Sequence, residues 1–187
     1  MLCNLKKKVP FSTITRKQAS KDKNNGVLPE ESLEKLVHFN SCAVVSSSHA
    51  LRLHTYGREI DSHDAVLRFN CAPTHTFEQF VGKRTDIRLI NTLIPHRKCG
   101  EEFWSENSVV MMMHLCDWVH VYEFVPSNRD NTTLIYYFAE TAGRSPHDLH
   151  SYNQERTYVK TLSLTPDEVI NDTGVVLIQG LSQTRCG

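Results

Sequence analysis

The chain has 187 residues, 40% of them hydrophobic, which suits one domain with a sizeable core and leaves no room for a second full domain. Its 21 basic and 21 acidic residues cancel to a formal charge of zero, so no bulk field holds nucleic acid or an anionic membrane. No run of eighteen apolar residues spans a bilayer, and the first thirty residues hold no apolar signal region.

Residues 1–40 are polar and lysine-rich, with Gly26 and Pro29 as breakers, and read as a loosely structured lead-in with a short helix near Pro29 to Phe39. The tracts Lys6 to Lys8 and Lys17 to Lys23 read as a solvated arm. Residues 41–187 then form the folded domain. Cys42-Ala43-Val44-Val45-Ser46, Asp64 to Asn70 and Thr85 to Asn91 are short apolar runs suited to buried strands. From Ser105, a candidate cap answered by Ser108, a helix apolar on many sides runs through Val109, Val110, Met111, Met112, Met113 and Leu115, and is therefore buried. Val119 to Phe124 alternates as a strand and Pro126 closes it. Ser145-Pro146-His147-Asp148 opens a helix reaching about Leu162, Thr165-Pro166-Asp167-Glu168 repeats that signature, and Gly174 to Gln179 is a last buried strand. Strands alternating with helices predict an α/β fold, a single Rossmann-like domain with a largely parallel central sheet flanked by helices.

The ten histidines invite a metal hypothesis, which the spacing disfavours. His49, His54, His63 and His75 do not share the i, i+4 face of a helix, and there is neither H-E-x-x-H nor D-x-D. The six cysteines, Cys3, Cys42, Cys71, Cys99, Cys116 and Cys186, form no C-x-x-C pair; wide spacing and an even count suit disulfides in an oxidising compartment, with reduced core thiols the alternative. The sequons at Asn131 and Asn171 lean toward the secretory route. The missing leader then implies either a fragment of a longer anchored protein or misleading cysteines. Phosphate loops of the G-x-x-x-x-G-K-[ST] and G-x-G-x-x-G types are also absent. What remains is Ser46-Ser47-Ser48 after the first strand and Asn70 and Asn91 ending two others, near the carboxyl edge where α/β sheets bind ligands. Those groups can hydrogen-bond a ribose, base or phosphate without a metal, or simply cap and turn the chain.

CAVVSSS, GREIDSHDAVLRFNCAPT and VGKRTDIRLIN, taken together, resemble the large sialyl motif of eukaryotic sialyltransferases, in particular the β-galactoside α-2,6 subgroup. MMMHLCDWVHVYEFVPS is similar to the latter part of the small sialyl motif, and His150-Ser151-Tyr152-Asn153-Gln154-Glu155 to the very small motif, H-x-x-x-x-E. The resemblance implies transfer of sialic acid from CMP-sialic acid to a terminal galactose of glycans, inverting and without metal or other cofactor, in the Golgi lumen by a membrane-anchored enzyme whose anchor this chain lacks. It makes His150 the general base, near its ordinary pKa of ~6.5. Glu155 is its partner acid, or a dipole-compensating acid at a helix start. It makes Ser47, Asn70 and Asn91 contacts of the CMP donor and Arg156 an acceptor-side cation. It also implies the disulfides Cys42–Cys116 and Cys3–Cys186, each contributing ~2–4 kcal/mol, and association with itself or other Golgi transferases.

The chain departs from the family between Asn91 and Met111, where a short bridge, Thr92 to Val110, replaces several tens of residues. Phe103-Trp104-Ser105 stands where the small motif opens with Ser-Ser-Gly. Phe80, Leu93 and Leu149 replace an acid, a glutamine and a tyrosine, and Leu134 to Ala142 holds no cysteine for the family's third pair. Loss of central strands predicts an incomplete fold with exposed edges and weak or no activity. The competing expectation is a non-catalytic relative that binds nucleotide, glycan or a partner enzyme.

Overall fold

Strand formation follows the β-branched and aromatic runs, but strand limits follow pairing. The computed structural model describes residues 1–9, 11–18, 28–90, 106–130, 136–138 and 152–186. Strands β1 (Phe39–Val45), β2 (Ala65–Phe69), β3 (Ile87–Leu89), β4 (Cys116–Tyr122) and β5 (Val175–Gln179) form one sheet in the order β3-β2-β1-β4-β5. All neighbours are parallel except β4 and β5. β1 opens three residues before the expected Cys42 and β4 three before the expected Val119, because Phe39 pairs with Cys116 and Ser41 with Trp118. The division placed at residue 40 therefore falls inside a strand.

The lead-in is more ordered than its composition suggests. Leu2–Lys8 forms helix α1, Cys3 is bonded to Cys186, and Lys6 Nζ donates to the Thr184 carbonyl at 2.8 Å. Leu2, Leu5 and Phe11 pack on the core, so the lysines face water while the alternate side chains are anchored. The helix expected over Pro29 to Phe39 shrinks to α2 (Leu33–Leu36), since Val37 is extended and Phe39 already pairs in β1.

Among the described residues the sheet is covered unequally. On one face Cys42, Val44, Leu67, Val119, Val121 and Ile178 meet α5 (Glu106–Leu115), α6 (Tyr152–Leu162) and α7 (Asp167–Thr173) in the larger core. α5 contributes Val109, Met112, Met113 and Leu115, all fully buried, as its all-round apolar sequence requires. Cys42–Cys116 joins β1 to β4 inside this layer. Ser105 and Ser145 to Asp148, the expected helix starts, lie outside the described residues. α7 ends at Gly174, whose positive φ of 66° lets its N–H bond the Ile170 carbonyl at 2.7 Å.

The other face has a thinner cover of a 3-10 helix (His49–Leu53), α3 (Gly57–Asp61) and α4 (Glu78–Val81). Ala43, Val45, Val66 and Tyr122 pack there against Leu51, Ile60, Val81 and Tyr137. These short elements carry no strong periodic signal. Among the described residues no helix is long and apolar enough to cross a membrane.

Candidate functional site

The strand order defines where a ligand fits. From β1 the chain moves outward to β2 and β3, then returns to β4 on the other flank of β1, so the connections at the carboxyl ends of β1 and β4 diverge. Such a switch point leaves a crevice. The residues that reach it are Ser46, Ser47 and Ser48 after β1, Asn70 after β2, and Glu123 to Ser127 after β4.

Backbone hydrogen bonds hold these segments in register. The Ser46 N–H donates to the Tyr122 carbonyl at 3.2 Å and the Ser46 hydroxyl to the Glu123 carbonyl at 3.0 Å, while the Ser48 N–H donates to Ser46 Oγ at 3.1 Å. Tyr137 donates its N–H to the Ser47 carbonyl, and Ser48 bridges to Tyr136. Asn70 adopts a left-handed φ of 44°, a conformation asparagine tolerates, with its N–H on the Leu89 carbonyl at 2.7 Å and its own carbonyl accepting from Arg88 Nη1 at 2.5 Å. Ser47 and Asn70 are 0% and 1% exposed, so a ligand seated on their side chains must displace what covers them.

Buried polar atoms without a hydrogen bond gather here. Among the described residues Ser47 Oγ, His54 Nε2 and Glu123 Oε1 are in that condition, as are Arg68 Nη1 and His120 Nδ1 away from the crevice. Most buried polar groups in folded proteins are satisfied, so the atoms at the crevice are groups able to bond a ligand. Glu123 is fully buried with φ 51°, and burial pushes its carboxyl up from 4.5 to about 7. Its Oε2 accepts the Ser127 N–H at 2.7 Å, and its Oε1 lies 3.3 Å from His54 Nε2. Burial, and then the Arg129 cation, push His54 below 6.5.

The charged stretch Gly57 to Asp64, by contrast, builds the frame. Asp61 Oδ1 accepts the N–H groups of Lys83 and Arg84 at 3.0 and 2.9 Å, Asp64 accepts those of Asn40 and Ser41, and Glu59 accepts the Tyr122 hydroxyl at 2.8 Å. Arg84 donates to the carbonyls of Asp61, His63 and Asp64. Arg68, 1% exposed, reaches back to the Val81 and Arg84 carbonyls at 2.5 and 2.8 Å; burial lowers its guanidinium to about 10. These acids and cations fix the turn that delivers β2, and so Asn70, to the edge.

The residues expected at the site are therefore distributed. Ser47 and Asn70 lie at the carboxyl edge of adjacent strands. Glu155 and Arg156 are half-buried in the first turns of α6, on the face of the larger core. Asn91 and His150 lie outside the described residues. Cys42–Cys116 and Cys3–Cys186 are the same two pairs that the resemblance implies, and Cys71, left unassigned, is also disulfide-bonded. Sequence reasoning missed Glu123 and His54. The available signal was an acid embedded in the apolar run Val121-Tyr122-Glu123-Phe124-Val125.

Comparison with known proteins decides the family. The model of glycosyltransferase family 29 (sialyltransferase) matches residues 4–112, more than half of the chain. The chain belongs to the family 29 sialyltransferases. Beta-galactoside alpha-2,6-sialyltransferase 1 of Homo sapiens is 30% identical over 241 residues, covering 86% of this chain and 59% of that protein. Beta-galactoside alpha-2,6-sialyltransferase 2 of Xenopus tropicalis is 27% identical over 270 residues, covering all of this chain and 52% of the relative. That alignment is longer than the 187-residue chain, so this family member lacks counterparts for part of the matched region. The chain spans about half the length of the curated relatives it matches. A crystal structure of a mammalian sialyltransferase overlaps 56% of this chain and 36% of its own at 27% identity with a TM-score of 0.30.

Proposed function

We propose that this family member moves sialic acid from CMP-sialic acid to the terminal β-galactose of glycoprotein or glycolipid glycans. The relatives' names favour an α-2,6 linkage. The observation that carries the donor half is Ser47, a buried hydroxyl without a partner at the switch-point crevice, with Asn70 on the neighbouring strand. Both are hydrogen-bonding groups suited to a nucleotide.

In the reaction His150 accepts the proton of the attacking galactose hydroxyl while that oxygen bonds to the anomeric carbon of sialic acid. The bond from that carbon to the phosphate oxygen breaks on the opposite side, inverting the centre, and its electron pair leaves with CMP. The departing phosphate is a stable anion, so help is needed chiefly at the attacking hydroxyl and no metal is called for. Glu155, near the start of α6, serves catalysis with His150 or compensates the helix dipole, and Arg156 serves the acceptor side. The setting is the Golgi lumen, where disulfides persist.

A second reading is favoured by the chain's covering about half of its relatives: a non-catalytic member that binds nucleotide, glycan or another transferase. Calorimetry with CMP followed by transfer of radiolabelled sialic acid to N-acetyllactosamine separates the two. Binding lost in Asn70→Ala, with slow transfer abolished by His150→Ala, supports the enzyme; binding without product supports the relative. Absence of CMP binding at millimolar concentration defeats both.

A further inference from the structure

Glu123 breaks two ordinary preferences at one position. A side chain with a Cβ sits in the left-handed region, and a carboxylate is fully buried with one acceptor unsatisfied. Such a residue persists only where its surroundings over-determine it. Four chain segments meet on it. The loop after β1 donates the Ser46 hydroxyl to its carbonyl, the turn after β4 donates the Ser127 N–H to its carboxylate, and its own N–H donates to the Gly174 carbonyl at 2.7 Å. A Cβ on Gly174 would fall 2.1 Å from Glu123 Cδ, so only glycine leaves room for the carboxylate at that turn. The fourth contact is His54, whose ring stacks on Tyr56 at 4.7 Å, and Tyr56 donates its hydroxyl to the Thr173 carbonyl at 2.7 Å.

We propose that Glu123 is a positioning residue for nucleotide binding: its main-chain carbonyl holds the Ser46 hydroxyl of the loop that carries Ser47, its carboxylate, facing His54 at 3.3 Å, sets the conformation of that position, and a single proton on this side-chain pair makes the setting depend on pH. The inference rests on the donor reading of Ser47 given above.

The surroundings favour one shared proton. Burial opposes a carboxylate on Glu123 and an imidazolium on His54, pushing the acid up to about 7 and the histidine below 6.5. The other charged groups are Asp130, which adds to the rise at Glu123, and the exposed Arg129–Asp172 pair, whose cation opposes and whose anion favours a charge on His54. Tyr56, raised to about 12, stays neutral. Near neutrality the Glu123–His54 pair therefore exchanges a proton with solvent on the same residue that holds the Ser127 N–H and the Ser46 hydroxyl.

The test compares the purified chain with Glu123→Gln, which keeps the shape and an acceptor for Ser127 but cannot lose a proton. CMP affinity is measured by calorimetry from about pH 6 to about pH 8. Phosphate titrates near pH 6 in CMP itself, but equally for both proteins, so the ratio of their affinities cancels it. The ratio is expected to change at least threefold across the range, and His54→Gln should show the same ratio profile from the other partner. The NMR titration of the His54 ring in the free protein should shift in Glu123→Gln. A constant ratio with an unmoved His54 titration overturns the inference and leaves the donor site standing. CMP binding to none of the three proteins overturns the donor reading and this inference with it.

Discussion

Asp61, at the end of α3, and Glu123, just after β4, are both carboxylates that accept backbone N–H groups, and they differ in how fully their acceptors are used. Both oxygens of Asp61 accept backbone N–H groups from Lys83 and Arg84. Glu123 uses one oxygen for Ser127 and leaves the other against His54 without a hydrogen bond. The same contrast runs through the two regions. The frame from Gly57 to Asp86 leaves its acids at least partly exposed and spends them on backbone N–H groups and the Tyr122 hydroxyl, while its buried cation, Arg68, reaches two carbonyls; the crevice between β1 and β4 buries Glu123 and leaves one of its carboxylate oxygens without a hydrogen bond. Satisfied buried charge holds a shape, whereas unsatisfied buried charge keeps a capacity to bind or to exchange a proton.

Severing Cys42–Cys116 by serine substitution of both residues should break the two regions together, because the bond closes 74 residues of chain and joins the strands that carry the crevice. A loss of about 2–4 kcal/mol is expected in the midpoint and extrapolated free energy of urea unfolding. Glu123→Gln sharpens the contrast through pH. The folded pKa of Glu123 is raised, so the stability it supplies is complete below its ordinary 4.5 and disappears as pH rises through about 7. At ~1.4 kcal/mol per pH unit the wild type should lose up to about 3 kcal/mol across that window, and the glutamine variant should not. The depressed values of His54 and of His120, which burial and then His63 push down, act the other way: their contribution is present above 6.5 and disappears as pH falls through their lowered values. Thermal melts over pH 4 to 8 read both limbs.

Asp61→Ala frees two backbone donors in the frame and should cost about 2 kcal/mol without altering the pH profile that Glu123 sets. Ser47→Ala is the reverse case. Its hydroxyl has no intramolecular hydrogen bond to lose, so stability should change by less than about 0.5 kcal/mol while CMP affinity drops roughly fivefold for one lost contact. The smallest effect belongs to the half-exposed pair Lys160–Asp167, where Lys160→Ala should move the midpoint by an amount worth less than about 0.5 kcal/mol.

Local pattern by itself determined the five strands, the buried helix α5 and the start of α7, because alternation, apolar runs and acidic first turns act over a few residues. The motifs drew attention to Ser47 and Asn70, and resemblance supplied the cysteine pairs that no spacing rule could. Local pattern did not reveal helix α1, since lysine-rich sequence hides the leucines that anchor it, nor the ends of β1 and β4, which each strand sets for the other. Only the tertiary structure decided which backbone groups the charges in Gly57 to Asp64 hold and the place of Glu123. Residues 46, 54, 123, 127 and 174 meet solely because the sheet returns across β1 to lay β4 beside it. That return also leaves a buried acid facing a histidine next to the hydroxyl proposed to receive the nucleotide.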